Sequence, residues 1–272
     1  MISVPRPPKI HPALVLLALA VGGFAIGTTE FATMSLLRFF ARDLQIDEPT
    51  AGHVISAYAL GVVVGAPCIA VISARMSRRT LLMILMGVFA VANGASALAP
   101  SYHWMLFFRF ASGLPHGAYF GIAALVASSL VPADRRTQAV GRVLLGLTIA
   151  TIIGVPLANW LGQAVGWRWS FGVVALLALS CVVLVGIFAP RDPPRAGASP
   201  MAELGALARG QVWLTLLIGA IDALGPWLGG MVIAAGYGLT STGWVGSGLA
   251  LAGLIVWSVS VTADRKSRLN NP

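Results

Sequence analysis

Apolar residues in this chain do not alternate with polar ones as they would on a surface helix or strand. They run for twenty residues and more between short polar breaks. With about 20 predominantly apolar residues needed for one bilayer crossing, runs near 13-37, 51-73, 80-99, 104-130, 143-165, 169-189, 212-236 and 243-262 predict eight transmembrane helices. Breaks such as Ala99-Pro100-Ser101-Tyr102 are too short for a soluble domain, so consecutive helices are expected to be antiparallel neighbours. The exception is 190-211, which opens with Pro190, Pro193 and Pro194 among charges and then offers a short helical piece from Met201 to Ala208. The expected organisation is therefore a six-helix transmembrane half over 1-190, a cytoplasmic linker over 191-211, two helices over 212-262 and a disordered basic tail over 263-272. The predicted fold class is an all-α integral membrane protein.

Composition agrees with that reading. The chain is 57% hydrophobic and 10% charged, against about 25% charged in an average soluble domain. Its 31 glycines suit membrane helices that approach one another closely. The first apolar run is too long for a signal-peptide core and is followed by others, so it reads as an uncleaved helix.

The net charge of +9 raises the question of nucleic acid, and the placement of the basic residues answers it. Arg6, Lys9, Arg75, Arg78, Arg79, Arg135, Arg136, Arg142, Arg191, Arg195, Arg209, Arg265, Lys266 and Arg268 fall on one side of the predicted membrane. Only Arg38, Arg42 and Arg168 fall on the other. The positive-inside rule then predicts two cytoplasmic termini in a bacterial-type inner membrane, with the lipid bilayer rather than nucleic acid as partner. No nucleophile-base set, phosphate-binding glycine loop or metal-ligand spacing is visible, so neither an enzyme nor a cofactor or metal is expected. Cys68 and Cys181 lie in apolar runs as expected buried thiols. Oligomeric state is not readable.

The chemistry sits inside the spans. Arg109 lies within the fourth, where a mid-membrane arginine costs roughly 2.5 to 3.5 kcal/mol on translocon scales and so marks a protein interior or wet cavity. Ser112, Gly113, His116 and Phe120 share its helix face, which is expected to be wet, with Pro115 bending the helix beside them. Glu30 lies in the first span at a similar depth, and the two charges are expected to face one cavity. His116 has two readings, a polar group of that cavity or a histidine bonded to a neighbouring helix. Gly146, Ala150, Gly154, Ala158 and Gly162 form a stripe at four-residue steps in the fifth span, and Ala57, Gly61 and Gly65 a weaker one in the second, both signs of tight helix contact.

Several of these stretches together resemble the major facilitator superfamily, in particular its drug-proton antiporter and sugar-efflux branch. They are Gly27-Thr28-Thr29-Glu30-Phe31, the arginine-bearing Arg109-Phe110-Ala111-Ser112-Gly113-Leu114-Pro115-His116-Gly117-Ala118, and the antiporter-like glycine-proline motif containing Gly154, Pro156, Asn159 and Gly162. The cytoplasmic loop motif is similar in Arg75, Arg78 and Arg79, but Ala74 stands where the family carries an acid. The resemblance implies proton-coupled efflux of a small drug-like or sugar-like solute, with Glu30 the proton-linked carboxylate, Arg109 its tuning partner and His116 a cavity group.

It also implies two six-helix halves, and this chain has one half and a remainder. Residues 211-217 look like the start of a seventh family helix, whereas 223-230 and 241-246 look like the eleventh and twelfth. An internal deletion with its junction near 219-222 is expected, leaving Asp222 as either a pathway acid or a misfit of the junction. The alternative function is a non-transporting truncated protein, or a fragment that needs a partner chain.

Overall fold

The computed structural model describes residues 11-192, 205, 210-237 and 241-270. Its helices are α1 (Pro12–Asp43), α2 (Glu48–Ile72), α3 (Arg78–Ala97), α4 (Tyr102–Ser129), α5 (Arg136–Ile149), α6 (Val155–Ala164), α7 (Trp167–Phe188), α8 (Gly210–Ala234) and α9 (Ser241–Asn270). α5 and α6 are one span joined by a wider π-helical turn, Ala150–Gly154. Pro156 explains the turn, because proline cannot donate to the carbonyl one turn back and its ring crowds that carbonyl. Seven spans among the described residues are long and apolar enough to cross a bilayer. α8, at 25 residues, is the eighth helix of spanning length. The chain is thus an all-α multi-pass membrane protein.

Local sequence sets the helix starts. Asp47 accepts from the Thr50 amide to cap α2, and Ser77 accepts from the Thr80 amide to cap α3. The Asp192 carboxylate, reaching from beyond α7, also accepts from the Arg78 amide at 3.0 Å. The Arg79 guanidinium bonds the Gly186 carbonyl beside it.

Three expectations are corrected. α1 continues past 37 to Asp43, and α9 runs through the expected disordered tail to Asn270. Charged residues end a hydropathic run without breaking a helix, and cations favour a helix C-terminus. Cys68 lies on the outer surface of α2, whereas Cys181 is buried. The predicted helical piece from Met201 to Ala208 lies outside the described residues, apart from Gly205. So do the rest of the linker from 193 and the side chains of Asp222, Arg265, Lys266 and Arg268.

The small-residue stripes become the closest contacts. Gly146 faces the Ala20 carbonyl, Gly154 the Thr28 side chain and Gly162 the Leu36 side chain, so eight-residue steps on the fifth span match eight-residue steps on α1. Gly61 and Gly65 lie against the carbonyls of Phe110 and Leu114, and Gly113 against that of Tyr58, which locks α2 to α4. α8 packs along α2, with Gly52 beside the Pro226 carbonyl and Gly230 beside Pro49, and α9 packs on α8.

Two apolar clusters form the interior. One gathers Leu19, Ile26, Leu82, Phe89, Tyr119 and Val174 towards the end bearing the basic loops; the other gathers Leu36, Phe40, Val54, Met105, Trp167 and Phe171 towards the opposite end. Between them lies a buried polar layer of Thr29, Thr33, Asn93, Ser96, Arg109, Ser112 and Ser170.

Candidate functional site: a cavity beside a buried arginine

Arg109 is 0% exposed and lies in the polar layer. Its Nη1 donates to Thr29 Oγ1 at 3.2 Å and to Ser112 Oγ at 3.4 Å. Thr29 in turn donates to Asn93 Oδ1 at 2.9 Å, while Asn93 Nδ2 donates to the Phe89 carbonyl at 2.8 Å. The guanidinium carbon lies 4.3 Å from the Tyr58 ring centroid and 5.6 Å from that of Phe171. A desolvated cation over an aromatic face gains about 2 kcal/mol or more, which offsets part of its burial.

Across Tyr58 from the arginine is a cavity of about 490 Å³. α1 supplies Glu30 and Met34, α2 supplies Tyr58 and Val62, and α4 supplies His116. α8 and α9 close it with Pro226, Gly246 and Leu249 among others. The size suits a drug-sized molecule, and an apolar wall carrying a few polar groups is the usual composition of such a site. Tyr58 Oη and His116 Nδ1 are hydrogen-bonded at 2.9 Å, their rings edge to face. His116 therefore fits both sequence readings at once, since it lines the cavity and is bonded to a neighbouring helix.

Glu30 and Arg109 do lie at one level, because Thr29 bonds the arginine directly. They do not share the cavity wall. Glu30 is on it, and Arg109 is sealed behind Tyr58. The face expected to be wet is likewise buried at Arg109, Ser112 and Gly113 and meets the cavity at His116. The α2–α4 glycine contact is the reason, for it brings the α2 backbone over that face.

The other predicted residues lie elsewhere. Gly154 and Gly162 are buried against α1, Pro156 follows the π-helical turn and Asn159 is half-buried on α6. Arg75, Arg78 and Arg79 lie at the α2–α3 connection, where the Asp192 carboxylate accepts from the backbone amides of Arg78 and Arg79. Tyr58 is the residue that sequence reasoning missed. Among the described residues no three His, Cys, Asp or Glu side chains gather as a metal site.

A multi-helix membrane bundle with a charged group sealed in its first six spans and a solute-sized cavity beside it defines a class, the polytopic membrane proteins built around an internal cavity. The description Major Facilitator Superfamily matches residues 19–271, and the chain belongs to that family. It is 44% identical over 210 residues to the inner membrane transport protein YdhP of Escherichia coli K12, which covers 76% of this chain and 54% of YdhP. It is 36% identical over 212 residues to a chloramphenicol resistance protein of Streptomyces lividans (76% and 54%). A probable sugar efflux transporter of Mannheimia succiniciproducens is 32% identical over 204 residues (75% and 51%). The chain thus spans about half the length of these relatives. Among solved structures, the fold is similar to the proton:xylose symporter XylE, with TM-score 0.58, 15% identity, and 80% of this chain and 53% of that one covered.

Proposed function

We propose that this chain carries the cavity of a proton-coupled efflux transporter for a small drug-like or sugar-like solute, in an inner membrane with both termini cytoplasmic. The observation that carries the reading is one carboxylate, Glu30, on the wall of a cavity otherwise largely apolar, level with a buried arginine. A carboxylate so placed changes proton affinity whenever its distance from the cation or its hydration changes between two states of the bundle. That couples a proton to a conformational step. Relatives named for sugar efflux and chloramphenicol resistance support a neutral or amphipathic solute. The test is proton-driven flux of chloramphenicol and of a neutral sugar in vesicles, with the intact chain and with Glu30→Gln. Solute flux that disappears on Glu30→Gln supports the reading, and flux that survives it unchanged removes Glu30 from the mechanism.

A second reading rests on the two-helix remainder. Alternating access moves one half against the other, and here α8 and α9 are the helices that follow the six-helix half among the described residues. The domain division at 190, 211 and 262, with a junction near 219-222, is part of the same proposal; α8 runs through that junction as one helix. Absent flux from folded, inserted protein favours a non-transporting chain or one that needs a partner. An intact coding frame around codons 218 to 223, with no sign of an excised segment, argues against the deletion.

A further inference from the structure

We propose that Tyr58 is a shutter: its ring seals Arg109 from the cavity, and the His116 hydrogen bond latches it shut. Three positions carry this. Glu30, Tyr58 and His116 all line the cavity, Arg109 does not, and the Tyr58 ring is the cavity-lining group whose face lies on the guanidinium, 4.3 Å from its carbon. Thr29, Ser112 and Phe171 hold the guanidinium's other sides. Displacing this one side chain therefore brings Glu30 and Arg109 to face a common space.

The backbone beneath Tyr58 cannot supply that motion, because its carbonyl abuts Gly113 and the neighbouring Gly61 abuts Phe110. What remains is rotation of the tyrosine between staggered side-chain positions. The cation–π contact with Arg109 and the Tyr58 Oη to His116 Nδ1 hydrogen bond at 2.9 Å oppose it, and the hydrogen bond is the one made by a cavity-lining partner. A solute group that competes for either atom releases the latch. The titratable and charged groups facing Tyr58 are Glu30 from α1 and Arg109 and His116 from α4. Tyr58 is thus a positioning residue, converting an event in the cavity into contact between two opposite charges. Its part in transport rests on the reading above; the shutter itself does not.

The experiment is labelling with phenylglyoxal, a small arginine reagent, on the intact chain in lipid nanodiscs, read by peptide mass spectrometry with exposed Arg42 as internal standard. Wild-type Arg109 is expected to stay unlabelled while Arg42 reacts. Tyr58→Phe keeps the ring and loses the latch, and His116→Ala loses it from the other side. Each raises Arg109 labelling about 3- to 10-fold, the effect of one hydrogen bond on an opening equilibrium. The double variant adds nothing further, whereas independent loosening of two sites would multiply. Tyr58→Leu brings Arg109 towards the rate of Arg42. Wild-type Arg109 reacting as fast as Arg42, Tyr58→Phe matching wild type, or the two single variants multiplying would each overturn the shutter. If Tyr58→Leu does not fold, the other variants still decide. None of these readouts needs flux, so a chain that fails to transport can still confirm or refute the shutter.

Discussion

Arg109 of α4 donates to Thr29 of α1 at 3.2 Å, so the residue immediately before Glu30 holds the arginine while Glu30 itself lines the cavity. Two adjacent residues of one helix thus serve a sealed cation and an open cavity. Arg109→Lys is expected to break this arrangement despite keeping the charge, since a compact ammonium lacks the flat guanidinium that lies on the Tyr58 ring. Thermal unfolding in detergent should show a loss of about 1 to 3 kcal/mol, the range for disrupting a hydrogen-bonded buried charge.

The α2–α4 contact sets the tyrosine's position. Gly113→Leu would drive a side chain into the Tyr58 carbonyl, and such overpacking costs about 1 to 3 kcal/mol. Gly121→Ala, eight residues along the same helix where an added Cβ meets nothing within 4 Å, should leave unfolding unchanged or slightly delayed.

How much of this was legible in the sequence depends on whether a feature repeats. The stripe from Gly146 to Gly162 announces its contact with α1 because five small residues recur at one spacing. Glu30 and Arg109 stand out because charge is costly in an apolar run. Tyr58 carries no such signal, for a single tyrosine in α2 is ordinary and its partners, Arg109 and His116, become neighbours only when α2 and α4 close on their glycines. Asp192 is similar: its role as a carboxylate at the start of α3 depends on α7 ending beside it. Hydropathy also misplaced the helix ends, because it reads the bilayer and not the helix.

The start of α2 offers a pH test outside the membrane. Hydrogen bonds from Thr50, side chain first and then backbone, hold the Asp47 carboxyl below its ordinary value of 3.8. A lowered folded-state value means the cap stabilises fully above 3.8 and is lost as the pH falls through the lower, folded value. The exchange protection of the Thr50 amide, relative to its unstructured rate at the same pH, should fall on acidification through that range, and Asp47→Asn should abolish the acid step while retaining a cap. An acid step that persists in Asp47→Asn would assign it to another group.

The helix-end carboxylate at Asp192 predicts a different asymmetry. Asp192→Asn removes the charge at the α3 N-terminus but keeps an acceptor, and should cost about 0.3 to 1 kcal/mol; Asp192→Ala should cost more. Equal losses from both would show that the charge is immaterial there.

Glu30 is proposed to link a proton to solute in the cavity. The most direct test is the number of protons exchanged when chloramphenicol binds the purified chain, from calorimetry in buffers of different ionisation enthalpy. Release of about one proton per solute bound is expected, abolished by Glu30→Gln with binding retained. Binding without proton exchange, or an exchange that Glu30→Gln leaves intact, would contradict it.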